Sequence, residues 1–71
     1  MTTLIMTSWK PGLQTVSLIE AVKQYSTGSL IRAKLEVERL LAGEAVILQF
    51  TSESLKDEFR QKAEGLGAIF D

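Results

Sequence analysis

From Ala45 to Phe50 runs a short, largely apolar segment whose side chains divide into two sets at a period of two. Val46, Leu48 and Phe50 alternate with Ala45, Ile47 and Gln49, the pattern of a strand with one covered face. On both sides the period changes to that of a helix. Upstream, Leu18, Ala21, Val22 and Tyr25 share one side of a segment beginning near Val16, with Glu20, Lys23 and Gln24 on others. A second helical segment, from about Leu30 to Ala42, repeats Ala33, Val37, Leu40 and Leu41 as its inner stripe, leaving Arg32, Lys34, Glu36, Glu38 and Arg39 to water. Downstream, Leu55, Phe59 and Ala63 recur one turn apart. These switches occur within 71 residues, which allows one domain spanning 1–71 and no second one.

The punctuation supports the same division. Thr2 to Trp9 is short and rich in β-branched residues, and Lys10-Pro11-Gly12 follows as a type II turn signal. Thr15 or Ser17 is expected to cap the first helix, Ser17 in a capping box with Glu20. Ser26-Thr27-Gly28-Ser29 breaks that helix, with Ser29 placed to cap the next, and Gly43 stops the second helix. Thr51-Ser52 opens the third helix, where Glu58 and Lys62 are spaced for an ion pair. Gly65 or Gly67 ends it before a last strand, Ala68-Ile69-Phe70. The order β-α-α-β-α-β predicts an α+β two-layer sandwich: a three-stranded sheet, mixed or antiparallel, with three helices on one face and a wetter far face.

Composition narrows the chemistry. The chain has no cysteine and no histidine, so disulfides, thiolate metal sites and the commonest general base are all unavailable. Glu36 and Glu38 point to different sides of their helix, and Glu53, Asp57 and Glu58 suit the positive end of the third helix dipole. Ser52 has neither a histidine nor a convincing lysine base nearby in sequence, and Gly65-Leu66-Gly67 follows a helix rather than preceding one, unlike a phosphate-binding loop. No enzyme activity, cofactor or metal is expected. Net charge is −1, and the densest basic stretch, Lys56 to Lys62, is interrupted by Asp57 and Glu58, so direct nucleic-acid binding is not expected either. No apolar run approaches the roughly 18 residues of a membrane span, and a cytoplasmic location is the expectation.

The remaining function class is protein binding. Trp9 and Tyr25 are the large amphipathic aromatics, a type enriched at binding hot spots but also at home in a core. With Leu18, Ala21 and Val22 turned inward, Val16 and Ile19 share an outer shoulder of the first helix, and Ile31 lies off the inner stripe of the second. Lys23 follows Ile19, and Lys34 follows Ile31, by about one turn. An apolar patch rimmed by lysines at a helix–helix corner suits a protein partner.

These residues also carry a family resemblance. Val16-Ser17-Leu18-Ile19-Glu20-Ala21-Val22-Lys23 resembles the V-x-V-I-K-x-V-R helix in the C-terminal domain of the bacterial large-subunit ribosomal stalk protein, ribosomal protein seven/twelve. Leu30-Ile31-Arg32-Ala33-Lys34-Leu35-Glu36-Val37-Glu38 resembles that family's L-K-E-A-K-x-L-V-E helix in the same register, and Ala63 to Phe70 resembles its ending. The resemblance spans nearly the whole chain and implies the same element order. In that family the corner between the first two helices recruits translational GTPases to the ribosome. Carried over by position, it implies apolar contacts at Val16, Ile19 and Leu30 and basic contacts at Lys23 and Lys34. Thr15 and Glu20 stand where the family has basic residues, which alters the potential that steers an acidic partner. The family's dimerisation segment and hinge have no counterpart, so anchoring to the stalk base in the family's way is not expected; the expectation is a stand-alone module, monomer or weak homodimer, as a paralogue with a changed partner. Gly43-Glu44-Ala45-Val46 before Phe50 is similar to the protease-adaptor domain that delivers substrates bearing N-terminal degradation signals. That domain's acidic loop and helix histidine are missing here, which leaves substrate recognition for proteolysis as the alternative function.

Overall fold

The structure, a computed structural model, describes residues 2–70. Strand β1 (Thr2–Trp9) is followed by helices α1 (Thr15–Tyr25) and α2 (Leu30–Leu41), strand β2 (Val46–Phe50), helix α3 (Glu53–Leu66) and strand β3 (Ala68–Phe70). The fold is α+β, in the predicted order. The sheet runs β2-β1-β3 with both pairings antiparallel, so the first strand of the chain is the central one. In β2 the period of two is realised directly: Val46, Leu48 and Phe50 are buried, and Ile47 and Gln49 are exposed. Leu4 and Met6 of β1 bury on the same side, Leu4 directly opposite Leu48 and Met6 opposite Val46.

Pairing with β3 is interrupted between Met6 and Ser8, so that Met6 faces Phe70 while Trp9 faces Ala68. Strict alternation after Met6 would turn Ser8 inward. The extra residue of the bulge turns Trp9 to the side of the buried Ala68 instead. Trp9 is only partly covered there, 38% exposed. Tyr25 is half-buried and packs against the core.

Helices α2 and α3 contact the sheet, and α1 packs against both of them. Phe59 of α3 lies at the centre of the core, its ring 5.3 Å from that of Phe50, 6.1 Å from Phe70 and 6.3 Å from Tyr25. One side chain thereby joins α3 to α1 and to both outer strands, in edge or tilted geometries that aromatic quadrupoles favour. Ala21, Ala33 and Ala63 are buried where helices approach, with Leu18, Val22, Val37 and Leu40 filling the remaining space. Among the described residues every buried polar side-chain atom has a hydrogen-bond partner.

Several local expectations are corrected. Leu41, assigned to the inner stripe of α2, is 37% exposed at the helix end, and the buried stripe is Ala33, Val37 and Leu40. Neither Thr15 nor Ser17 caps α1. The N-cap residue is Gln14, which makes no side-chain cap bond. Its N–H donates instead to the carbonyl of Leu66 at 3.0 Å, and its carbonyl accepts from Leu18. A tertiary bond thus fixes the helix start, which no local motif announces. Ser29 and Ser52 do cap, accepting from the N–H of Arg32 and of Leu55, each at 3.2 Å. Lys62 lies over the Tyr25 ring at 5.8 Å rather than against Glu58, and the ion pairs of α3 are Glu53–Lys56 and Arg60–Glu64.

Gly67, not Gly65, ends α3. Its φ of +113° is left-handed, and a Cβ there would lie 3.1 Å from the Cα of Leu13. The Gly67 carbonyl accepts from the N–H of Lys10 at 2.8 Å. This junction, with the Gln14–Leu66 bond, fastens the β1–α1 connection to the end of α3. Within that connection the Leu13 N–H closes back on the Lys10 carbonyl, with Gly12 at φ +88°, the turn that Pro11-Gly12 predicts.

Candidate protein-binding surface

Burying Leu18, Ala21 and Val22 on α1 leaves Val16 outside, 70% exposed. Burying Ala33, Val37 and Leu40 on α2 leaves Leu30 at 49%, Ile31 at 74% and Leu35 at 54% exposure. Ile31 and Leu35 are one turn apart, as are Leu30 and Lys34, so each pair stacks along the outside of α2. Helix α2 is therefore apolar on two sides, one meeting the core and one meeting water. Leu35 escaped the sequence reading because it lies between two charged residues, Lys34 and Glu36. Its spacing from Ile31 was the available signal.

Lys23 stands in the last turn of α1, close in the chain to Leu30 and Ile31 across the Ser26–Ser29 connection. Lys23 and Lys34 are both exposed, and neither forms a salt bridge with a described residue. Val16 stands apart from this group along α1: seven residues separate it from Lys23, about 10 Å of helix. Ile19 is not a free shoulder residue. It is half-buried and packs against the core, so it presents only part of its side chain outward. Thr15, at the first position of α1, is also half-buried, and Glu20 is exposed one turn beyond Val16.

The connection itself is anchored. The Ser26 N–H and hydroxyl both donate to the carbonyl of Val22, the hydroxyl at 2.6 Å. The Thr27 N–H donates to the carbonyl of Gln49 in β2 at 3.1 Å. A turn tied to α1 by Ser26, to β2 by Thr27 and to α2 by the Ser29 cap holds the α1 terminus and the α2 start in fixed relation, which favours recognition by limiting the entropy lost on binding.

The charged side of α2 faces a different part of the molecule. Arg32, Glu36 and Arg39 line two adjoining clefts between α2 and β2, shared with Thr27, Ile47 and Gln49. Partial burial raises the Glu36 carboxyl above its ordinary range, against the opposing pull of Arg32 and Arg39. At the start of α3, Glu53 is held below the ordinary range by hydrogen bonds from Thr2 and Lys56. Among the described residues no group of three or more His, Cys, Asp or Glu side chains is placed to hold a metal ion. No helix among them is long and apolar enough to cross a membrane.

Comparison with protein-family models, with curated proteins and with solved structures found no match to this chain.

Proposed function

We propose that this chain is a non-enzymatic, cytoplasmic module that binds another protein through the outer side of the α1–α2 corner. Leu30, Ile31 and Leu35 supply the central apolar contact, the outward part of Ile19 and the more distant Val16 extend it along α1, and Lys23 and Lys34 supply charge. One observation carries the reading: Leu30, Ile31 and Leu35 lie exposed on the outside of α2 in a domain whose core is filled without them. Isolated surface aliphatics are ordinary. Ile31 and Leu35 stacked on one helix, beside a free lysine, are better explained by a partner.

The partner's chemistry follows from the rim. Two lysines without an ion pair among the described residues favour an acidic surface, and their exposure means they act on encounter rate and orientation more than on final affinity. The stalk-protein resemblance of these same helices suggests a translational GTPase, or the ribosome with which such factors work, as the partner to try first. Thr15 and Glu20 weaken the positive field relative to that family, so affinity for its usual factors should be reduced or redirected. The protease-adaptor alternative has less support, because its cationic ligand, a free N-terminal amine, would need a carboxylate-lined cleft. The clefts beside α2 hold two guanidinium groups for one carboxylate, and the carboxylate of the cleft at the start of α3, Glu53, is already paired with Lys56 at 3.4 Å.

The test is affinity capture from cytoplasmic extract, comparing wild type with an Ile31→Asp/Lys34→Glu variant. The proposal expects translational GTPases or ribosomes with wild type and their loss with the variant. Recovery of the same proteins by both would place binding elsewhere on the molecule.

A further inference from the structure

Strand β2 is an edge strand, paired with β1 on one side only. The Gln49 carbonyl receives the Thr27 N–H from the unpaired side, so the backbone groups of Gln49 point away from β1. In an antiparallel ladder that orientation recurs at every second residue, so the N–H and carbonyl of Ile47 also point outward. Among the described residues these two groups have no backbone or side-chain partner. Thr27 thus makes one rung of an added strand at the end of the edge, and the next positions stand open. Native proteins usually blunt such an edge with an inward charge, a proline or a covering loop. Here Ile47 is 61% exposed and only the Gln49 end is covered.

The chemistry beside the edge is specific. On the open face of the sheet Ile47 lies opposite Ile5 of β1, two aliphatics paired across strands. On the helix side the groove is walled by Arg32, Glu36 and Arg39. Neither guanidinium forms a salt bridge with a described residue. Arg32 is positioned by the connection itself, since its side-chain stem runs along the backbone of Gly28, with Cδ 3.2 Å from where a Cβ would stand. With one carboxylate to two cations, the wall keeps a net positive charge.

We propose that the free edge of β2 takes an extended, acidic segment of another protein as an added strand, with apolar side chains beside Ile47 and carboxylates beside Arg32 and Arg39. Strand addition supplies affinity through the backbone and specificity through alternate side chains, and the two faces here call for different residues. A second copy of this chain fits less well. Arg32 adjoins the Gln49 end of β2 and Arg39 the Ala45 end. A two-fold pairing through Ile47 would set Arg32 against the other copy's Arg39, and Glu36 against Glu36, which repel. This surface is separate from the outer side of the corner and stands or falls independently of the binding role assigned there.

The test uses a capped synthetic peptide of alternating Val and Asp, with a Val–Lys counterpart as control, titrated into the whole chain and followed by heteronuclear correlation spectra and amide hydrogen exchange. The acidic peptide should shift the Ile47 and Gln49 amides and slow exchange at Ile47 by about tenfold or more, as a newly made ladder bond does. The Ile31 amide should stay unchanged. Arg32→Glu/Arg39→Glu, exposed substitutions whose folding is checked by thermal melt, should weaken binding of the acidic peptide by about tenfold or more. Equal binding of the lysine peptide, or shifts without protection at Ile47, would overturn the proposal. So would protection of Ile47 in the absence of peptide that grows with protein concentration, which would make the occupant a second copy.

Discussion

The Thr27 N–H and the Gln49 carbonyl meet at 3.1 Å, joining the α1–α2 connection to the outer edge of β2. Through this bond the candidate docking corner and the open sheet edge share a support. The corner's geometry therefore depends on β2, which is itself held in register against β1. Its rigidity comes from backbone bonds, so side-chain changes on the outside of α1 and α2 should alter recognition with little effect on the fold.

Phe59 should be the most sensitive position in the core. It is fully buried and its ring meets Phe50, Phe70 and Tyr25. Phe59→Ala is expected to cost about 3–5 kcal/mol, which approaches the whole stability expected for a domain of this size. Chemical denaturation should show a variant largely unfolded in buffer. Val37→Asp should do the same, because an unpaired charge would enter a fully buried site.

Two glycines of α3 should respond oppositely to alanine. Gly65 lies within the helix with open space around it, so Gly65→Ala should stabilise by about 0.5–1 kcal/mol. Gly67→Ala should destabilise by roughly 1–3 kcal/mol, since it combines a positive φ with a 3.1 Å approach to the Leu13 backbone. Paired thermal melts check both signs.

Glu36 predicts a pH dependence. Its folded-state pKa is raised by burial, so the ionised carboxylate is less favourable in the fold than in the unfolded chain. The penalty is present above the folded pKa and disappears as pH falls below the unfolded one. Glu36→Gln should therefore be more stable than wild type at neutral pH, with the difference vanishing under acid conditions. Denaturation midpoints of both proteins across that range measure it.

Ile19 and Ile31 should separate packing from binding. Ile31→Asp changes a side chain that is 74% exposed and should shift stability by no more than about 0.5 kcal/mol. Ile19→Asp places a charge against the core that Ile19 partly contacts, and should cost roughly 1–3 kcal/mol. Loss of partner binding by the Ile31 variant alone is interpretable as loss of contact.

Most of the architecture was legible because it rests on period and punctuation. Alternation at Val46, Leu48 and Phe50, the stripe of Ala33, Val37 and Leu40, and the caps Ser29 and Ser52 all act locally, and each appears where the sequence predicts it. What escaped depends on contacts distant in the chain. The start of α1 is set by Leu66, so Thr15 and Ser17 were plausible but unused caps. The bulge that turns Trp9 toward the side of Ala68 depends on pairing with β3. Ile19 reads as a shoulder residue on a helical wheel, yet the core of this small domain extends far enough to take up part of that side chain. Leu41 sits at a helix end, where period alone does not tell whether the core extends that far.

The outer side of the α1–α2 corner is the proposed protein-docking surface. Its most direct test is a titration of the labelled chain with a purified translational GTPase, followed residue by residue in amide spectra. Perturbations should cluster at Lys23, Leu30, Ile31, Lys34 and Leu35 and be abolished by Ile31→Asp while the thermal melt is unchanged. Perturbations absent from these residues, or binding retained by a folded Ile31→Asp variant, would contradict it.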